Sequence, residues 1–114
     1  MKAQERIITD IWYEFEQWSG GYDENDCNSD VVFELSDGSR WVATFYTYQN
    51  LNSIANKNKT TGECLCGEYF YADKPIFISK MKKEIIISVL NDIISHETDL
   101  SYVFGRIEKH EEIK

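Results

Sequence analysis

Three short constellations in this chain carry the side chains that chemistry needs. Cys64-Leu65-Cys66 pairs two thiols, Asp26-Cys27-Asn28-Ser29-Asp30 sets carboxyl and amide oxygens at alternate positions, and His96-Glu97 with Asp99 places an imidazole beside carboxylates. Thiols two apart on a strand share a face, which is half of a thiolate metal site. Closing zinc takes four ligands, usually as two spaced pairs, and the remaining donors Cys27, His96 and His110 form no second pair. Cys64 and Cys66 therefore read as buried or half-buried packing groups at the start of a strand. The Asp26–Asp30 pattern opens like a calcium loop, but its sixth position is Val31 and its twelfth is Asp37, where glycine and glutamate belong. A solvated acidic loop is the better reading. Histidine titrates near neutrality, so His96 with a cysteine or carboxylate could serve acid–base chemistry. The stronger reading is a polar helix end, with Thr98 or Asp99 capping the next helix and His110 in a charged tail. No serine sits in a nucleophile elbow and no glycine-rich loop follows a strand. The sequence thus predicts no enzyme, no catalytic residue, no metal and no cofactor.

Any site must be positioned by the surrounding elements, and the surest of these is a hairpin. Val31, Phe33 and Leu35 alternate, as do Trp41, Ala43 and Phe45, with Asp37-Gly38 between them. A period of two defines strands, and Asp-Gly is a strong hairpin signal. Residues 3–18 place Ile8, Ile11, Trp12, Phe15 and Trp18 at helical offsets, which predicts an amphipathic N-terminal helix ended by Ser19-Gly20-Gly21. Residues 22–30 form a polar loop. Gln49–Asn58 predicts a short helix, Glu63–Tyr71 a third strand, and Ile76-Phe77-Ile78 a fourth after Pro75. Ile86, Val89, Leu90 and Ile93 predict a helix over residues 80–95, with Ser79 as its N-cap. Asp99–Lys109 spaces Leu100, Val103, Phe104 and Ile107 as a helix, although Gly105 weakens it and Ser101–Ile107 also reads as a strand. The expected fold is α+β: a four-stranded antiparallel meander with the N-terminal helix and C-terminal helices packed on it. Its other face would show Val42, Thr44, Tyr46 and Phe70 to solvent.

Length and charge narrow the role. At 114 residues the chain suits a single domain, 1–114, with room for one core. Twelve basic residues face twenty acidic ones, a net charge of −8, which disfavours direct binding to nucleic acid or anionic membrane. Residues 1–30 alone hold eight acids against two bases, −6 of that total. No apolar signal sequence opens the chain and no run approaches the roughly 20 residues of a membrane span. With three cysteines, an odd count, the expectation is a cytoplasmic protein with reduced thiols.

Asp-Gly-Ser-Arg-Trp-Val-Ala-Thr-Phe (37–45), Gly-Glu-Tyr-Phe-Tyr-Ala (67–72) and Asp-Leu-Ser-Tyr-Val-Phe (99–104), with the size and acidity, resemble the small acidic immunity proteins that bacteria encode beside contact-dependent or polymorphic toxins. The resemblance extends over residues 10–107. It implies a cytoplasmic protein without catalysis of its own that binds a cognate toxin domain and covers its active or substrate-binding surface. It carries over no individual functional residue. The charge reading is compatible, because a nuclease toxin is expected to be basic and an acidic partner is steered to it. The candidate partner-binding residues are Asp23, Glu24, Asp26 and Asp30 of the loop, Tyr22 as an aromatic anchor, and Asp10 and Glu14 beside them. The competing expectation is a small-molecule-binding regulatory module with its ligand near Trp41 and Tyr69.

Overall fold

A computed structural model describes residues 6–108. The fold is α+β, built on a five-stranded sheet. The central hairpin forms as its sequence dictates: β2 (Asn28–Leu35) and β3 (Arg40–Thr47) pair antiparallel around Asp37-Gly38, with Gly38 at φ 88°. Their alternate side chains Val31, Phe33, Leu35, Trp41, Ala43 and Phe45 are buried on one face, here called the inner face. α3 (Lys83–His96) supplies the opposing apolar stripe, Ile86, Leu90 and Ile94, to the same core. Phe104 closes the far end, its ring edge-on to Phe33 at 5.0 Å.

The N-terminal helix expected over residues 3–18 is not formed within the described part of that range. Instead β1 (Ile8–Tyr13) pairs antiparallel with β2, followed by a 3₁₀ turn at Glu14–Gln17. The register shifts between Ile8 and Asp10. This bulge lets Ile8 and Ile11, three apart, both pair with inward residues, Leu35 and Phe33. The 3₁₀ turn then buries Phe15. A bulge and a tight turn have thereby produced helical spacing in a strand. The local composition, Ile-Thr-Asp-Ile-Trp-Tyr, is itself strand-like.

The meander is also corrected. After β3 the chain enters α1 (Tyr48–Thr61), longer than expected, with the Thr47 side chain accepting from the Asn50 amide as N-cap. Gly62, at φ 89°, ends it with a left-handed cap. The expected strand at Glu63–Tyr71 is absent: Glu63–Gly67 (α2) is a short turn in which Cys64, Leu65 and Cys66 all have positive φ of 52–57°. Gly67 seats that turn on α1, since a Cβ there would lie 2.5 Å from the Ala55 carbonyl oxygen. Because α1 carries the chain back along the sheet, β4 (Pro75–Ile78) joins β3 parallel, along Thr44–Thr47. Of the two readings of the last segment, the helix is not formed and the strand is formed in part: a 3₁₀ turn at Leu100–Tyr102 leads into β5 (Gly105–Ile107), antiparallel to Arg40–Val42 on the same edge of β3. Lys109 and His110 lie outside the described residues. Ser79 does not cap α3; Lys82 occupies the N-cap and its side chain makes no capping hydrogen bond. At the other end Arg6 Nη2 donates to the carbonyls of Ile94 at 2.9 Å and Glu97 at 2.7 Å, satisfying terminal acceptors of the helix.

Candidate functional site

The register assigns every side chain of the outer face to a row. Asp10 lies opposite Glu34, which lies opposite Arg40; Trp12 lies opposite Val32, which lies opposite Val42. The third row sets Asp30 against Thr44 and Pro75, and the fourth sets Asn28 against Tyr46 and Phe77. Phe70 arrives from the loop after α2 and places its ring edge-on to Tyr46 at 5.8 Å. The face therefore alternates acidic and apolar rows. Trp12, Phe77 and Phe70 keep 46%, 44% and 39% of their surface open, which is high for rings of this size. Val42, Thr44, Tyr46 and Phe70 occupy the outer face as the alternation predicts, although Phe70 comes from a loop and not a strand.

The acidic residues singled out from sequence fall into two groups. Asp10 and Asp30 belong to the outer face. Asp10 Oδ1 accepts the Ile11 amide at 3.0 Å, and Asp30 Oδ1 accepts the Thr44 hydroxyl at 2.9 Å. Glu14 stands at the rim and continues the ladder beyond β1, its Oε1 accepting the Asp30 amide at 2.9 Å. Tyr22, Asp23, Glu24 and Asp26 instead sew the loop to its neighbours. Tyr22 donates its hydroxyl to the Met81 carbonyl at 3.0 Å and packs its ring on Phe15 at 4.6 Å. The Glu24 carbonyl accepts the Met81 amide at 2.7 Å, and Asp23 Oδ1 accepts the Asn25 amide at 3.0 Å. Asp26 accepts from Ser53 Oγ at 2.6 Å and Asn50 Nδ2 at 2.9 Å, and these two bonds hold its carboxyl below the usual carboxylate range. Its negative charge sits by the first turns of α1, where the helix dipole favours it. Asp26 and Asp30 thus turn to different partners instead of converging as calcium ligands would.

The other chemistry-bearing groups are dispersed. Cys64 and Cys66 occupy the left-handed turn, so the shared face of a strand does not apply to them; Cys64 is half-buried and Cys66 exposed. Burial, then the nearby Asp23 and Asp26, pushes the Cys27 thiol up to about 11. His96 is exposed in the last turn of α3, with Nδ1 4.0 Å from Asp92 Oδ2. No group of three or more His, Cys, Asp or Glu side chains is arranged to hold a metal ion among the described residues. Trp41 is buried beneath Phe104 and the Arg106 guanidinium, while Tyr69 stacks on Tyr71. A shallow hollow of about 440 Å³ is lined by Glu34, Ser39, Arg40, Arg106 and Ile107, without Trp41 or Tyr69.

Sequence reasoning misses Trp12, Glu34 and Phe77 as members of one face. Alternation in β2 and β3 points outward at Glu34, but the spacing around Trp12 favours a helix stripe, and nothing local names the partner of the strand that holds Phe77. No described helix is long and apolar enough to cross a membrane. No family model, curated protein or solved structure matches the chain.

Proposed function

We propose that this chain is an immunity-type protein: it binds a basic toxin domain, most simply a nuclease, in the cytoplasm of the cell that makes it. It neutralises the toxin by covering the active or substrate-binding surface. The observation that carries this reading is the coincidence of acid excess with open aromatic surface on one face, where exposed Trp12, Phe70 and Phe77 and half-buried Tyr46 alternate with Asp10, Glu34 and Asp30. Tryptophan and tyrosine, with arginine, are enriched among the few residues that dominate binding energy at protein interfaces, and flanking carboxylates speed encounter with a cationic partner. The resemblance to immunity proteins supports the same role.

The test is affinity capture of the tagged protein with the product of the adjacent gene, at low and high salt, followed by co-expression. The expected result is a basic partner whose association slows as salt rises, and whose toxicity disappears when the two proteins are made together. Contacts between exposed charges are screened over roughly 10 Å at 0.1 M salt, so this dependence is diagnostic of them. An adjacent product that neither binds nor becomes harmless on co-expression would refute the reading.

A further inference from the structure

We infer that the docking surface is the outer face of the sheet, not the acidic loop 22–26, and that its occupant is a basic protein surface presenting an arginine or lysine beside an apolar side chain. This deepens the proposed function and rests on it for the partner's identity. Three of the loop's candidate side chains are tied within the fold: Asp26 holds α1 through Ser53 and Asn50, Asp23 closes its own turn, and the Tyr22 hydroxyl bonds the Met81 carbonyl. The outer-face acids Asp10 and Asp30 also accept hydrogen bonds, from the Ile11 amide and the Thr44 hydroxyl, but the face adds a cross-strand pair of like charges. Asp10 and Glu34 stand directly across from each other on paired strands. Like charges at such positions oppose sheet formation. Among the described residues, the cation on that row is Arg40, on the far side of Glu34 from Asp10. Trp12, two residues along β1 from Asp10, lies on the same side of the sheet and is 46% exposed.

A cation arriving between Asp10 and Glu34 would relieve their repulsion and meet the indole face, which attracts cations. An apolar neighbour on the partner would then cover the Trp12–Val32–Val42 row. Among the described residues, the strand rows of the face hold three carboxylates, Asp10, Asp30 and Glu34, against Arg40, and this acid excess sets the sign of the complement. The aromatic row of Tyr46, Phe77 and Phe70 extends the contact toward α1.

The experiment has two arms. In the first, the adjacent gene's product, with its active site inactivated, is titrated with Trp12→Ala, Thr44→Lys and Asp10→Lys, and separately with the loop double variant Asp23→Lys/Glu24→Lys. Each face variant is expected to weaken binding about tenfold or more, and the loop variant less than about threefold. Asp10→Lys carries a second signature: it removes the like-charge opposition, so its unfolding midpoint should rise while its affinity falls. Thr44→Lys keeps the test intact should Trp12→Ala disturb the strand. Loss of binding in the loop variant alone would overturn this surface and leave the proposed function standing.

In the second arm, backbone and indole NMR signals are followed as the synthetic peptide acetyl-Arg-Leu-Arg-Leu-Arg-amide is added. Saturable shifts at Trp12, Val32 and Val42 are expected. Shifts confined to residues 22–26, or spread with no saturation, would overturn the inference whatever the toxin experiment gives. Shifts on the face with no binding by the adjacent protein would sink the immunity reading while upholding the surface.

Discussion

Cys27 sits half-buried at the foot of β2, its amide donating to Thr47 Oγ1 at 3.2 Å and its carbonyl accepting the Thr47 amide at 3.1 Å. The thiol is pushed up to about 11 by burial first and by the carboxylates of Asp23 and Asp26 second. That leaves roughly a hundredfold fewer thiolates at neutral pH than an ordinary cysteine has, and only the thiolate reacts. A small alkylating reagent near neutral pH should therefore modify exposed Cys66 first and Cys27 far more slowly while the chain stays folded. Peptide mapping by mass spectrometry at timed intervals reads the order directly. Equal rates at Cys27 and Cys66 would mean that the segment joining the acidic loop to β2 opens freely. The residue scale also shows why the loop misleads: an acidic run in sequence looks available, yet Asp26 is already held by Ser53 and Asn50, twenty-four or more residues away.

At the scale of elements, α3 is held unequally at its two ends. Its N-cap is Lys82, extended at φ −117° and ψ 141°, a conformation an acidic cap adopts readily, but a cation there opposes the helix dipole and accepts nothing from the first amides. Lys82→Asp should add about 1 kcal/mol of stability, visible as a higher urea midpoint with an unchanged slope. The C-terminal end depends on Arg6, whose guanidinium bonds the Ile94 and Glu97 carbonyls. Arg6→Ala should cost about 1–3 kcal/mol and speed amide exchange in the last turn of α3. An unchanged midpoint would show that those carbonyls are equally well served by water. The same local physics decides which elements are legible in the sequence. The β2–β3 hairpin and α3 declare themselves because burial on one side imposes a clean period of two or nearly four. β1 does not, because its bulge and 3₁₀ turn put Ile8, Ile11 and Phe15 at helical intervals. The parallel placement of β4 depends on the length of α1, a long-range consequence that no local pattern encodes. Gly105, a weak point in any helix, lies opposite Val42, whose Cγ1 would be 3.0 Å from any added Cβ. The outer face is half legible: Val42, Thr44 and Tyr46 emerge from alternation, whereas Trp12 and Phe77 need the pairing.

For the whole molecule, ionisation should set a stability plateau bounded by two groups of residues. Asp26, Asp37 and Asp99 are each held below the ordinary carboxylate value by serine hydroxyls, from Ser53, Ser39 and Ser101, with Asn50 adding to Asp26 and the Ser39 and Ser101 amides to the others. A carboxylate with a depressed value in the folded chain favours folding above its unfolded value, and that contribution disappears as pH falls through the folded one. Tyr13 and Tyr22 are raised, chiefly by burial, so the unfolded chain ionises first and stability declines as pH climbs beyond about 10. The thermal midpoint should therefore be flat from about pH 5 to 8 and fall below about pH 4; on the alkaline side it should fall first above about pH 8.5, where the Cys27 thiol ionises in the unfolded chain before the folded one, and then with the tyrosines. Ser53→Ala removes the leading support of Asp26 and is expected to lower the plateau and make the acid limb shallower, because less stability remains to be lost there. Across this plateau a basic partner would meet the outer face in its folded form. If Ser53→Ala lowers the midpoint equally at pH 3 and pH 7, the hydroxyl supports packing alone, and Asp26 does not couple the loop to α1 through its charge.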